Sequence, residues 1–258
     1  MSTAATEAHP APKATNWGET FEIAKTVLYA LAIALVLRIL LFQPFTIPSA
    51  SMEPTLLQGD YIIVSKYTYG YSRHSIPFSP PLFHGRVLER TPRRGDIVVF
   101  KLPRDGHTDY IKRLVGLPGD RIQVTDGALF LNGQPVARTE LSPTTQEIYG
   151  FTQQVRRYRE CQAPDRCHMT YDARPDGDVD NTSVYVVPAG HYFMMGDNRD
   201  NSLDSRVPES VGVGFVPAEN LVGKAEIILL SWNAEASLFK PWTWLTEARP
   251  SRFFTLLK

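Results

Sequence analysis

The sequence predicts a mostly β protein, and three observations predict it. Short β-branched runs follow the Gly59-Asp60 and Gly95-Asp96 pairs, a pattern that reads as turn and strand start. Twenty prolines stand against seventeen glycines in 258 residues, more proline than the interior of a helical bundle tolerates. After Phe42, β signals dominate. Hydrophobic residues make up 43% and charged residues 21%, an ordinary globular composition that excludes wholesale disorder. The 27 Lys+Arg balance 27 Asp+Glu, and zero net charge removes the long-range field that a nucleic-acid binder needs. The length allows one large domain, or one domain with a subdomain and appendages.

The elements follow in chain order. Residues 1–20 are small and polar and read as a short tail. Residues 21–42 carry a membrane anchor, whose apolar run from Thr26 to Phe42 is broken only by Arg38. A span needs about 17–25 residues, and the long Arg38 side chain can snorkel to the head groups. Trp17 and Tyr29 suit the near-side interface. A cleavable signal peptide needs small residues at −3 and −1, but the best candidate pair is Pro48 and Ala50. A buried core helix would be odd so early in the chain. Lys13 and Lys25 flank the start of the run, and no Lys or Arg follows from Gln43 until Lys66. That asymmetry predicts an uncleaved single span with the N-terminus in the cytoplasm and the bulk outside.

Beyond the anchor, strands are predicted at Tyr61–Val64, Ile97–Phe100, Ala128–Leu131, Tyr185–Val187, Tyr192–Met195 and Ala225–Leu230. Asn132-Gly133 marks a hairpin turn into Gln134–Val136, which Pro135 confines to an edge. Residues 75–92 form a proline-rich surface excursion. Residues 137–183 are polar, turn-rich and weakly periodic, and read as a loop-heavy cap. The expected organisation is a core over 43–115 and 191–235, an inserted cap over 116–190, and a C-terminal segment over 236–258. Around that segment Trp232, Trp242, Trp244, Phe253 and Phe254 mix with Arg249, Arg252 and Lys258. Such a mixture suits a membrane surface and equally suits a tail packed on the sheet. Cys161 and Cys167 enclose a short polar loop. An exported domain would favour joining them, two free thiols being the alternative. A metal site with His168 would lack ligands.

The chemistry-bearing residues form no His-Glu-x-x-His, Gly-x-Ser-x-Gly or phosphate-cradling loop. Pro48-Ser49-Ala50-Ser51-Met52-Glu53-Pro54-Thr55-Leu56 holds two serines between stiffening prolines. One hydroxyl could serve as nucleophile and the other could donate to a developing oxyanion. Taken alone, the stretch reads better as a proline-rich juxtamembrane linker with incidental serines. Lys112 interrupts an apolar, strand-like run. If it turns inward, desolvation lowers its pKa and makes the neutral amine a general base. Otherwise it is a surface lysine, and Lys66 and Lys101 also lie near β runs. Gly196 to Arg206 is dense in short polar groups and reads as a hydrogen-bonded scaffold. Arg199 and Arg206 argue against a calcium loop.

Together these motifs resemble bacterial type I signal peptidases. The resemblance rests on Pro-Ser-x-Ser-Met-x-Pro-Thr-Leu after a span, then Arg94-Gly95-Asp96-Ile97-Val98-Val99-Phe100. Tyr110-Ile111-Lys112-Arg113 with Gly116 to Asp120 comes next, then Gly196 to Arg206, in that order. It implies a signal-peptidase-like β core with an inserted β cap. It also implies Ser51 as nucleophile, Lys112 as general base, and the Ser49 hydroxyl with the Ser51 amide as oxyanion hole. Ser202 would orient the Lys112 amine. Asp204 would pair with Arg206 beneath the site, with Asp197 and Arg199 supporting the same loop. Phe45, Ile47, Met52, Leu56 and Ile111 would line shallow pockets for small side chains. A Cys161–Cys167 disulfide fits relatives with a large cap. The resemblance implies the bacterial cytoplasmic membrane as the location, with the catalytic part on its outer side. The partners implied are exported preproteins and the lipid bilayer, with no nucleic acid, no metal and no organic cofactor. The rivals are a specialised Ser-Lys processing peptidase of pilus or conjugation type, and a silent anchored binding protein.

Overall fold

The apolar run folds as one helix, α1 (Trp17–Leu40), in the computed structural model. The structure describes residues 17–148, 151–174, 176–233 and 242–257. Most of the expected tail over 1–20, Lys13, Lys258 and residues 236–241 of the C-terminal segment lie outside the described residues. The 24 residues of α1 extend about 36 Å at about 1.5 Å per residue, more than a hydrocarbon core of about 30 Å requires. None of them is buried, and the most apolar 18-residue window has a mean hydropathy of 2.1. The helix starts before the expected residue 21 and stops two residues short of 42. Pro44 cannot extend a helix and disfavours one just before it, so Phe42 opens a strand instead.

The main sheet is antiparallel. It contains β1 (Phe42–Thr46), β2 (Asp60–Ser65), β3 (Ile97–Lys101) and β4 (Asp109–Gly116). A second sheet takes β5 (Arg121–Thr125), β6 (Ala128–Leu131) and β7 (Gln134–Pro135), and a third takes β8 (Ala137–Ile148), β9 (Phe151–Ala163) and β10 (Arg166–Asp172). The chain then forms β11 (Tyr185–Val186), β12 (His191–Met195), β13 (Val216–Pro217), β14 (Leu221–Ser231), a single-turn α2 (Thr243–Thr246) and β15 (Thr255–Leu256). The main sheet runs β1-β2-β14-β3-β4-β12-β13 with β15 on β14, and the second runs β11-β5-β6-β7. As expected of Pro135, β7 is an edge strand.

Packing explains the sequence pattern of β3. Ile97 and Val99 enter one core with Ile62, Val64 and Ile228. Val98 and Phe100 enter another with Leu114, Met194 and Leu221. A strand covered on both faces reads as a continuous apolar run, without alternation. The Gly-Asp pairs also acquire a cause. At Gly59-Asp60, Gly95-Asp96 and Gly119-Asp120 the aspartate accepts the amide three residues back, from Leu57, Arg93 and Leu117. Gly59 takes a positive φ of 84°, and a Cβ there would lie 2.0 Å from the Trp232 carbonyl oxygen.

The polar stretch over 137–183 is more regular than the sequence reading. β8, β9 and β10 form a three-stranded sheet in the order β10-β9-β8. In β10 the buried positions alternate strictly, but they are His168, Thr170 and Asp172. Inward-facing polar residues keep the period of two and hide it from a reading of apolar periodicity. Cys161 and Cys167 are joined, with S–S 1.99 Å, and the neighbouring pair Glu160 and His168 face each other in register. In the C-terminal segment Phe253 packs near Trp232, whose ring meets Tyr61 edge-on. Trp242, Trp244, Leu245, Phe254 and Leu256 remain exposed.

Candidate functional site

The two serines stand where the chain leaves β1. Ile47 is pinned to the Asp60 carbonyl at 2.9 Å, and residues Ala50–Met52 then make one 3-10 turn that buries Ser51. The hydroxyls of Ser49 and Ser51 lie 3.3 Å apart. The loop after β12 fastens the turn from the other side. Asn198 donates its amide to the Ser51 carbonyl and its side chain to the Ala50 carbonyl, both at 3.1 Å. That close approach needs Gly196, where a Cβ would lie 2.5 Å from the Ser51 oxygen and 2.3 Å from Ser202 Oγ.

Lys112 comes from the centre of β4, opposite Val98. It is 3% exposed, and its Nζ hydrogen-bonds Ser51 Oγ at 2.6 Å. Burial pulls the amine down to about 8, with Arg206 adding to the effect and Asp204 and Asp197 opposing it. The expected bond from Ser202 to this amine is absent. Ser202 Oγ has no hydrogen-bond partner, because the hydroxyl is packed against the bare Cα of Gly196 while the amine engages Ser51.

Beside the Ser51–Lys112 contact lies a buried ionic layer. Asp204 takes both Arg206 nitrogens, Nε at 2.9 Å and a terminal one at 2.8 Å. Asp197 and Arg199 find partners outside their own loop. Arg113 grips Asp197 at 2.8 and 2.6 Å, and Thr55 adds a third bond at 2.5 Å. Arg199 donates to Glu160 at 2.7 Å. Burial alone would raise both acids, but the arginines outweigh it and hold Asp197 and Glu160 below the usual carboxylate values. His168 sits 3.6 Å from Asp197 and 3.8 Å from Glu160. Burial first, then Arg113, depresses it to about 4, so it is a neutral spacer at pH 7. Arg113 was visible in the Tyr-Ile-Lys-Arg motif as a cation inside an apolar strand, and such a group needs a carboxylate. Glu160 and His168 carried no comparable signal.

A groove of about 490 Å³ is lined by Ser51 and Lys112 and among others by Ser49, Tyr110, Ile111, Ser202 and Leu203. Of the expected pocket residues, Phe45 and Ile111 are partly buried against the core. Ile47, Met52 and Leu56 are 2% exposed or less and belong to that core, beneath the groove wall. β12 pairs with β4 only over Arg113–Gly116, which leaves one edge of Tyr110–Lys112 without a ladder partner among the described residues. Among those residues no group of three or more His, Cys, Asp or Glu is placed to hold a metal ion.

The family model described as signal peptidase, peptidase S26 matches residues 20–232. The chain belongs to that family. Signal peptidase I of Rickettsia typhi is 42% identical over 245 residues, covering 88% of this chain and 89% of the relative. The Rickettsia akari signal peptidase I is 41% identical with the same coverage. A signal peptidase I of Enterococcus faecalis V583, solved by crystallography, is 27% identical, with a TM-score of 0.30 over 52% of this chain and 97% of its own. Membership makes the chain a serine peptidase, a hydrolase of peptide bonds, and α1 fits a membrane anchor.

Proposed function

We propose that this chain removes signal peptides from exported preproteins at Ala-x-Ala-type sites, through a Ser51–Lys112 dyad and an acyl-enzyme. The observation that carries the reading is the 2.6 Å contact of a buried amine with a hydroxyl. The cleavage region enters as an extended strand along the open edge of Tyr110–Lys112. Neutral Lys112 takes the Ser51 proton as Oγ attacks the −1 carbonyl. The Ser49 hydroxyl and Ser51 amide receive the oxyanion. Lys112 then gives the proton to the leaving amine, and the mature chain departs. A water surrenders one proton to Lys112 and its oxygen attacks the Ser51 ester. As the acyl–oxygen bond breaks, Lys112 returns that proton to Ser51 Oγ and the signal peptide leaves with a free carboxyl end. The atoms balance with water alone. In this reading 43–115 and 191–235 form the core, 116–190 form the cap, and the site faces outward from the cytoplasmic membrane.

The test incubates the detergent-solubilised full chain and its Ser51→Ala form with a preprotein bearing an Ala-x-Ala site. Product masses should show cleavage after the second alanine by the unaltered protein alone. Equal cleavage by both forms would overturn the assignment of Ser51.

The amine also predicts a pH profile. Only the neutral form accepts the Ser51 proton, so kcat/KM should rise with pH and level off above about 8. Stability should move the same way. Between about 8 and the ordinary lysine value of 10.5 the unfolded chain binds a proton that the folded one does not, so rising pH favours folding. A flat rate between pH 6 and 9 would remove Lys112 as the base.

A further inference from the structure

A second cavity, of about 330 Å³, lies beside the turn that follows β2. Arg90, Arg93, Arg166 and Lys224 line it together with Tyr67, and Asp96 supplies its one carboxylate. That carboxylate is already occupied. It accepts Arg166 at 2.8 Å, the Tyr69 hydroxyl at 3.1 Å and the Arg93 amide at 2.9 Å, with Lys224 at 3.7 Å. Lys224 also lies 3.6 Å from Glu226. Four cations thus meet two carboxylates, and the wall stays positive. The Arg90 and Arg93 guanidinium groups form no ion pair with a described residue. Their backbones are nevertheless fixed, Arg90 by the Tyr69 carbonyl at 3.3 Å and Arg93 by Asp96. Two exposed arginine forks thus stand on fixed backbone with no acceptor among the described residues.

The place of the cavity identifies the acceptor. The Lys66 amide donates to the Leu41 carbonyl at 2.9 Å, and Phe42 pairs in register with Ser65. The Tyr67 ring meets Phe42 edge-on at 5.6 Å. The cavity therefore begins within two residues of where the chain leaves its apolar run. A span that ends there sets Phe42 and Tyr67 at the boundary of hydrocarbon and head groups, a depth at which tyrosine is enriched. Lipid phosphates lie at the same depth.

We propose that this cavity binds the phosphate of a phospholipid head group, with Arg90 and Arg93 as its principal donors. The inference goes beyond the peptidase reading and rests on α1 as a membrane span. Planar guanidinium forks match phosphate oxygens, and basic groups at the interface favour anionic lipids. A lipid held here would give the catalytic body a second attachment to the membrane, beside its covalent anchor.

The test uses the full chain in lipid-free detergent, with phosphatidylglycerol, phosphatidylcholine or inorganic phosphate added. Native mass spectrometry counts bound lipid, and thermal unfolding reads stabilisation by ligand. The unaltered protein should retain phosphatidylglycerol at least fivefold more than the Arg90→Gln/Arg93→Gln form. The Arg90→Lys/Arg93→Lys form should retain an intermediate amount. Without lipid all three should unfold at the same temperature, since neither arginine holds an ion pair. Equal retention by all three would overturn the site. A thermal shift with inorganic phosphate as large as that with lipid, lost in the glutamine form, would assign the cavity to soluble anions and overturn the lipid. Neither readout depends on peptidase activity.

Discussion

Replacing Lys112 by methionine should lower kcat by about 10⁴-fold or more, the cost of removing one member of a nucleophile–base pair. Methionine keeps most of the buried stem of Lys112 and removes only the amine. At pH 7 that amine lies below its folded pKa of about 8, so the unaltered protein buries a charge that methionine does not. The variant should therefore unfold at the same temperature as the unaltered protein or higher, which separates lost chemistry from lost structure. The dyad reading adds a second expectation. Ser51→Ala and Lys112→Met act on one proton transfer, so the double variant should be no slower than either single one. Cleavage rates of the three forms on one preprotein check this. Multiplying losses, or a Lys112→Met rate within tenfold of the unaltered protein, would dissolve the dyad.

What the sequence disclosed about this site depended on how far each interaction reaches along the chain. The Ser49–Ser51 turn is local, and its prolines and short polar residues announce it. β3 could be read because both its faces are covered and its composition is uniformly apolar. Lys112 was one lysine among three near β runs until the motif order singled it out. Of the ionic layer, the Asp204–Arg206 pair came with the motif. The Arg113–Asp197 pair was not legible, since its members stand 84 residues apart and no periodicity links them. Glu160 and His168 were further hidden, because a strand with polar inward positions looks like a loop. The Ser202 hydroxyl shows the converse. A role transferred with the motif predicted a bond that the close approach at Gly196 leaves unmade.

Asp197→Ala should cost about 3–5 kcal/mol, the largest stability effect expected here, because it leaves a buried guanidinium without its counter-charge. Arg113 and Asp197 side chains are 2% and 1% exposed, so water cannot replace the lost carboxylate. For a domain of this size each kcal/mol moves Tm by roughly 2–4 °C, and a fall of about 6–20 °C in detergent is expected. Activity should fall as well, since the adjacent Asn198 holds the Ser51 and Ala50 carbonyls. The cause can be isolated by removing both charges. An Arg113→Met/Asp197→Leu form buries apolar groups in place of the pair and should regain most of the lost Tm. Acid should reproduce the single variant. The Asp197 pKa lies below its ordinary value, so its contribution is present above that value and lost as pH falls through the folded pKa. The doubly altered form lacks this carboxylate and should lose less Tm on acidification than the unaltered protein. A double variant as unstable as Asp197→Ala would mean that the unpaired guanidinium is not what destabilises the loop.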